Sequence, residues 1–105
     1  MSQAVATLEL YGQKVGTPRF PISVAVFAPM LAEPPNSFAS SVQVLPFDAE
    51  ARDIYGEGSM QALCLALRFA IESLARFVEQ GGRLSYPEGD PFDLEPYGFR
   101  LPGES

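Results

Sequence analysis

The stretch from Ser59 to Gln80, SMQALCLALRFAIESLARFVEQ, predicts one long helix with an unusually wide apolar face. At 3.6 residues per turn, Leu63, Leu67, Ile71, Leu74, Phe77 and Val78 fall on one side together with Met60, Cys64, Ala66, Ala70 and Ala75. That arc spans roughly 180°, where about 100° suffices for an ordinary surface helix. The opposite side holds Gln61, Arg68, Glu72, Ser73, Arg76, Glu79 and Gln80, and Arg68–Glu72 and Glu72–Arg76 are spaced i,i+4 for mutual support. Leu65 and Phe69 break this division, because they form an apolar i,i+4 pair near the middle of the polar side.

The ends of the helix are marked by residue type. Ser59, after Gly56-Glu57-Gly58, is expected to be the N-cap, and Gly81-Gly82 supplies a residue free to take positive φ after the last turn. With Ser59 as cap, a capping box requires Glu or Gln at position 62, which is Ala62. Burying the six large apolar side chains contributes on the order of 1.5–3 kcal/mol each. Ordering the chain costs roughly 1–2 kcal/mol per residue. A helix of this kind therefore needs a sheet or a second helix to cover its face.

The preceding sequence supplies strands. Ala6, Leu8 and Leu10 alternate with Thr7 and Glu9, the period-two pattern of a half-buried strand. Between Arg19 and Met30, Phe20, Ile22, Val24 and Val26 share one face, and Ser23, Ala25 and Phe27 share the other. Residues 31–37, LAEPPNS, are expected to form a loop around Pro34-Pro35, after which Val42 and Val44 alternate with Ser41 and Gln43. Arg83-Leu84-Ser85-Tyr86 reads as a fourth short strand ending at Pro87. The expected fold is α+β, an antiparallel sheet of three to four strands covered on one face by one long helix. Residues 1–105 fit a single domain, and the Pro-rich acidic and aromatic tail at 87–105 is expected to pack in part on it, with Leu65 and Phe69 as one docking place.

The net charge of −6, with no histidine and seven scattered basic residues, argues against nucleic-acid binding, which needs clustered Lys and Arg. Acidic residues gather at Asp48, Glu50, Asp53 and Glu57 before the helix, and at Glu88, Asp90, Asp93 and Glu95 after it. No apolar run approaches a membrane span, and MSQAVATLEL lacks a basic region followed by a long apolar stretch, so a cytoplasmic location is expected. Without His and with only Cys64, the common zinc sets and Ser-His-Asp or Cys-His arrangements are not available within one chain. Cys64 lies in the apolar arc and is expected to be a buried, inert thiol. The carboxylates at 90–95 lack the spacing and central glycine of a calcium loop, and no phosphate-cradling glycine motif is present. No cofactor, metal or catalytic residue is assigned.

The segment Ser59-Met60-Gln61-Ala62-Leu63-Cys64-Leu65-Ala66-Leu67 resembles a group of small uncharacterised bacterial domains. In these, a few strands precede a helix that opens with a pattern similar to S-x-Q-A-L-x-L-A-L. The resemblance implies an α+β domain, transfers no catalytic residue, and draws attention to Gln61, one turn from Leu65 and two from Phe69.

These features predict a non-enzymatic protein-binding domain, in the manner of a bacterial immunity or antitoxin-like protein that neutralises a basic partner by contact. The expected partner-binding residues are Gln61, Leu65 and Phe69 on the helix and Asp53, Tyr55 and Glu57 before it, with Tyr55 as the anchor. Two alternatives stay open: a homodimer through Leu65 and Phe69 or a strand edge, and a small-ligand carrier with a pocket between helix and sheet.

Overall fold

Apolar side chains at every second position build the sheet that the helix needs. The computed structural model describes residues 3–32 and 37–97. Strand β1 (Ala4–Gln13) pairs antiparallel with β2 (Phe20–Phe27), aligning Leu8 with Val24 and Leu10 with Ile22. The chain then breaks at Ala28-Pro29 and resumes as β3 (Met30–Ala32). Both β2 and β3 pair with β4 (Ser37–Leu45), β3 with its first residues and β2 with its last. The buried Ser40 hydroxyl spans the break by donating to the Phe27 carbonyl at 2.6 Å. Pro21 sits opposite Tyr11 and ahead of Ser23, where pairing with β4 begins, so its missing N–H costs no central ladder bond.

On its other side β4 pairs with β5 (Arg52–Gly56), and β1 pairs on its outer side with β6 (Arg83–Ser85). The sheet thus has six strands, not three to four, and all its pairings are antiparallel. Two strands were not expected. Strand β5 carries only Ile54 between Arg52 and Gly56 on its inner face, so it shows no apolar alternation. Strand β3 falls partly within the expected 31–37 loop and has just three residues.

Helix α1 (Ser59–Glu79) carries the chain from the β5 edge to the β6 edge. Its N-cap is Gly58, one residue before the expected Ser59, and no side chain caps it. With Gly58 as cap, Gln61 becomes the third helical residue, and its Oε1 accepts the Glu57 N–H at 2.6 Å. The bond is similar to the back-reaching arm of a capping box, but it takes the amide of the residue before the cap and not that of the cap itself. The other end closes as the glycines suggested. Gly81 has φ +96°, its N–H donates to the Val78 carbonyl, and the Gly82 N–H donates to the Phe77 carbonyl, which together make a Schellman motif.

The core joins Leu10, Ile22, Val24, Val26, Val42 and Val44 of the sheet to Ala66, Ala70, Leu74 and Phe77 of α1. The buried stripe of the helix begins with Ala62, Ala66 and Ala70, small side chains that let its backbone approach β4 and β5. Helix α1 consequently lies toward the β5 side of the sheet, and the wide arc is not wholly covered. Cys64 is exposed rather than buried, and Leu67 and Val78 remain about two-fifths exposed.

Past β6 the chain turns back on itself. Ser85 bridges Pro91, the Phe92 N–H donates to the Leu84 carbonyl, and the Tyr86 N–H donates to the Asp90 carbonyl. Phe92 is buried, packing edge-on against Tyr86 at 5.4 Å between centroids and lying 5.3 Å from Tyr97. This segment docks beside β6, not on Leu65 and Phe69. Phe99 and Leu101 lie outside the described residues.

Candidate binding surfaces

Because α1 packs against β5, the two groups of expected partner-binding residues fall on one flank of the molecule. Gln61 is exposed and tied to the backbone of Glu57. Leu65, one turn on, is 40 % exposed. Phe69 is half-buried, packs on the core, and lies 5.7 Å from the guanidinium of Arg52 on β5. That guanidinium is also paired with Asp48, Nε to Oδ2, at 3.1 Å. The apolar pair on the polar side of the helix thus has a partial explanation: Phe69 is covered by the loop and strand beside it, and Leu65 is not. Phe69, Phe47, Arg52 and Arg76 border a small cleft of about 310 Å³.

Asp53 and Tyr55 point the other way. By register they sit opposite Ser41 and Ala39 on the sheet face that the helix leaves open. Asp53 Oδ1 accepts from the Ser41 hydroxyl at 2.6 Å, and Tyr55 is 58 % exposed. Glu57 is exposed where β5 runs into the helix. The candidate residues therefore straddle one strand, with Gln61, Leu65 and Phe69 on the helix side and Asp53 and Tyr55 on the open side. Among the described residues β5 pairs only with β4, so the surface wraps around a sheet edge.

Truncating Arg52 to Ala should test how much this flank contributes to the fold. The variant loses a surface ion pair worth about 0.2–1 kcal/mol and an exposed cation–π contact of about 0.5–1 kcal/mol. A drop of about 1 kcal/mol in urea denaturation is expected, partly suppressed by high salt.

A second surface lies between helix and sheet, where the ligand-carrier alternative places a pocket. Between α1 and the β1–β2 side of the sheet lies a groove of about 780 Å³. Leu8, Val24 and Val26 form its sheet side, and Cys64, Leu67 and Ile71 form its helix side. Arg68, Glu72 and Glu79 border it, and Tyr97 from the 3₁₀ turn at Glu95–Tyr97 contributes its ring. The signal in the sequence was the breadth of the apolar arc, which exceeds what the sheet covers.

No known protein family, curated protein or solved structure matches this chain. Among the described residues, no helix is long and apolar enough to cross a membrane, and no group of three or more Cys, Asp or Glu could hold a metal ion.

Proposed function

We propose that this chain is a non-enzymatic, cytoplasmic protein-binding domain that holds a basic protein partner on its β5 edge, in the manner of an immunity or antitoxin-like protein. The observation that carries the proposal is Tyr55. A tyrosine that stands 58 % exposed on an edge strand, between Asp53 and Glu57, offers an apolar ring with a polar tip inside an acidic rim. Tyrosine is among the residues in which interface energy concentrates once a partner buries them. A chain of net charge −6 attracts a basic partner at long range. Gln61 and Leu65 extend the surface on the helix side of the strand.

The test is affinity isolation from the native host with the intact chain, at low and at high salt. A specific protein is expected to be retained at low salt, retained less at high salt, and lost when Tyr55→Ala or the pair Asp53→Lys and Glu57→Lys is used as bait. Recovery of no protein under either condition would overturn the proposal. The exposure of Leu65 supports a second reading, in which this flank joins two copies of the chain. Light scattering separates the two: a monomer that is unchanged by Leu65→Glu removes the dimer.

A further inference from the structure

Met60, Cys64, Leu67, Ile71, Leu74 and Val78 recur along α1 at alternating spacings of four and three. That is the seam of a helix that packs lengthwise against another helix. Only Leu74 is fully taken up by the core. Met60 is 78 % exposed, Cys64 is exposed, Leu67 and Val78 are partly so, and the middle of the seam is the helix wall of the groove. Among the described residues, no second helix runs beside it. The seam from Met60 to Val78 is about 27 Å long, which accommodates about five helical turns. The groove is open on one side along Cys64, Leu67 and Ile71, whereas a small-molecule site encloses most of its ligand.

The margin of the groove decides the chemistry of the occupant. It carries Arg68, Glu72 and Glu79, and Arg68 is already paired with Glu72, Nε to Oε2, at 3.1 Å. The balance is acidic, on a molecule of net charge −6. A second copy of the chain would bring the same acidic margin and the same net charge against it. We propose that the groove receives an amphipathic helix of a partner protein, with apolar residues at i, i+3 or i+4, and i+7 on the seam and Lys or Arg facing Glu72 and Glu79. This surface lies on the opposite side of α1 from the β5 edge and does not depend on the role assigned to Tyr55.

Cys64 provides the readout, because its exposed thiol borders the groove. The probe is a synthetic helical peptide of about five turns, with Leu at the a and d positions and Lys beside them, compared with the same peptide carrying Glu in place of Lys. The Lys peptide is expected to slow modification of Cys64 by Ellman's reagent at least tenfold, and the Glu peptide to leave it unchanged. Leu67→Glu should weaken binding of the Lys peptide, measured by fluorescence anisotropy, at least tenfold. The double variant Glu72→Lys with Glu79→Lys should reverse the preference between peptides while keeping the helical circular dichroism. Equal protection by both peptides, or protection by neither, overturns the proposal. A Cys64 rate that falls as protein concentration rises, without peptide, makes a second copy the occupant and also overturns it. A faster rate in a chain ending at Tyr97 assigns the groove to residues 98–105, with the same consequence. None of these variants touches Tyr55, Asp53 or Glu57, so failure here leaves the β5-edge proposal standing.

Discussion

Phe77→Ala is expected to lower the free energy of unfolding by about 3–5 kcal/mol, the range for deleting a buried aromatic ring. Phe77 is only 6 % exposed and joins the last turn of α1 to three parts of the chain. It meets Phe20 of β2 edge-on at 5.6 Å and lies tilted against Phe47 at 5.3 Å. Two glycines make room for it: a Cβ at Gly82 would stand 2.3 Å from the ring, and one at Gly12 would stand 3.0 Å from it. Its neighbours are the Gly82 backbone, the rings of Phe20 and Phe47 and the Lys14 ammonium 5.9 Å from its centroid, and an alanine would leave all of them without the ring they pack on. A domain of this size has about 5–15 kcal/mol of stability in total. The variant should therefore approach half-unfolding at low urea, with the midpoint displaced and the slope retained. Phe77→Leu, which keeps most of the volume, should lose distinctly less. Equal stability of Phe77→Ala and wild type would mean that the three-ring cluster does not hold the helix to the sheet.

Gly56→Ala is the second large effect expected, and its cause is backbone geometry. The φ of Gly56 lies outside the left-handed region, so an alanine would find no strain in the strand itself. Its Cβ would stand 2.5 Å from the Ala62 nitrogen, 2.9 Å from the Ala62 Cα and 3.0 Å from the Gln61 carbonyl carbon. All three are main-chain atoms of the first helical turn, and no flexible side-chain tip can move aside. The start of α1 must shift away from β5, which loosens the Ala62 and Ala66 contacts and the Glu57–Gln61 hydrogen bond. Overpacking of this kind costs about 1–3 kcal/mol, occasionally more. Each kcal/mol corresponds to roughly 4–8 °C in Tm for a domain of about this size. Gly58→Ala is the comparison: a Cβ there meets nothing within 4 Å, so only the poorer N-cap residue counts against it, and the Tm should fall distinctly less than for Gly56→Ala. If the two variants melt together, the close contact between β5 and α1 is not what positions the helix.

The contrast between these two glycines shows where the sequence was legible. Helix α1 was readable nearly to the residue, because 3.6-residue periodicity and a pair of terminal glycines are local signals that solvent and core both reinforce. Strands β1, β2, β4 and β6 were readable for the same reason, since each displays alternation or a short bounded run. Strand β5 was not, because Ile54 is its only large apolar residue on the inner face, between an arginine and a glycine. What makes Arg52–Gly56 a strand is its ladder with Ser40 and its neighbours on β4. Strand β3 was hidden in the same way: three residues next to a proline pair become a strand only because Phe38 and Ala39 lie alongside.

The candidate sites divide similarly. Gln61, Leu65 and Phe69 were noticed because they fit poorly with an amphipathic pattern. The structure gives Gln61 a hydrogen bond from the Glu57 amide and covers Phe69 beside Arg52, leaving Leu65 as the exposed apolar member. Cys64 was expected inside because it falls within the apolar arc. It is outside because the helix sits off-centre, a consequence of which small residues meet which strand.

By itself the sequence determined that a helix with one broad apolar face needs a cover, and the alternating segments before it supply an antiparallel sheet, since periodicity and burial energy are local signals. Only the tertiary structure decided how much of that face is covered. The absence of a side chain at Gly56, next to the start of the alanine stripe of α1, lets the helix lie close to β5, and the groove along Cys64, Leu67 and Ile71 stays open on its other side. Close approach of two backbones depends on atoms that are missing, and no periodicity in a sequence records where a missing side chain will meet its neighbour.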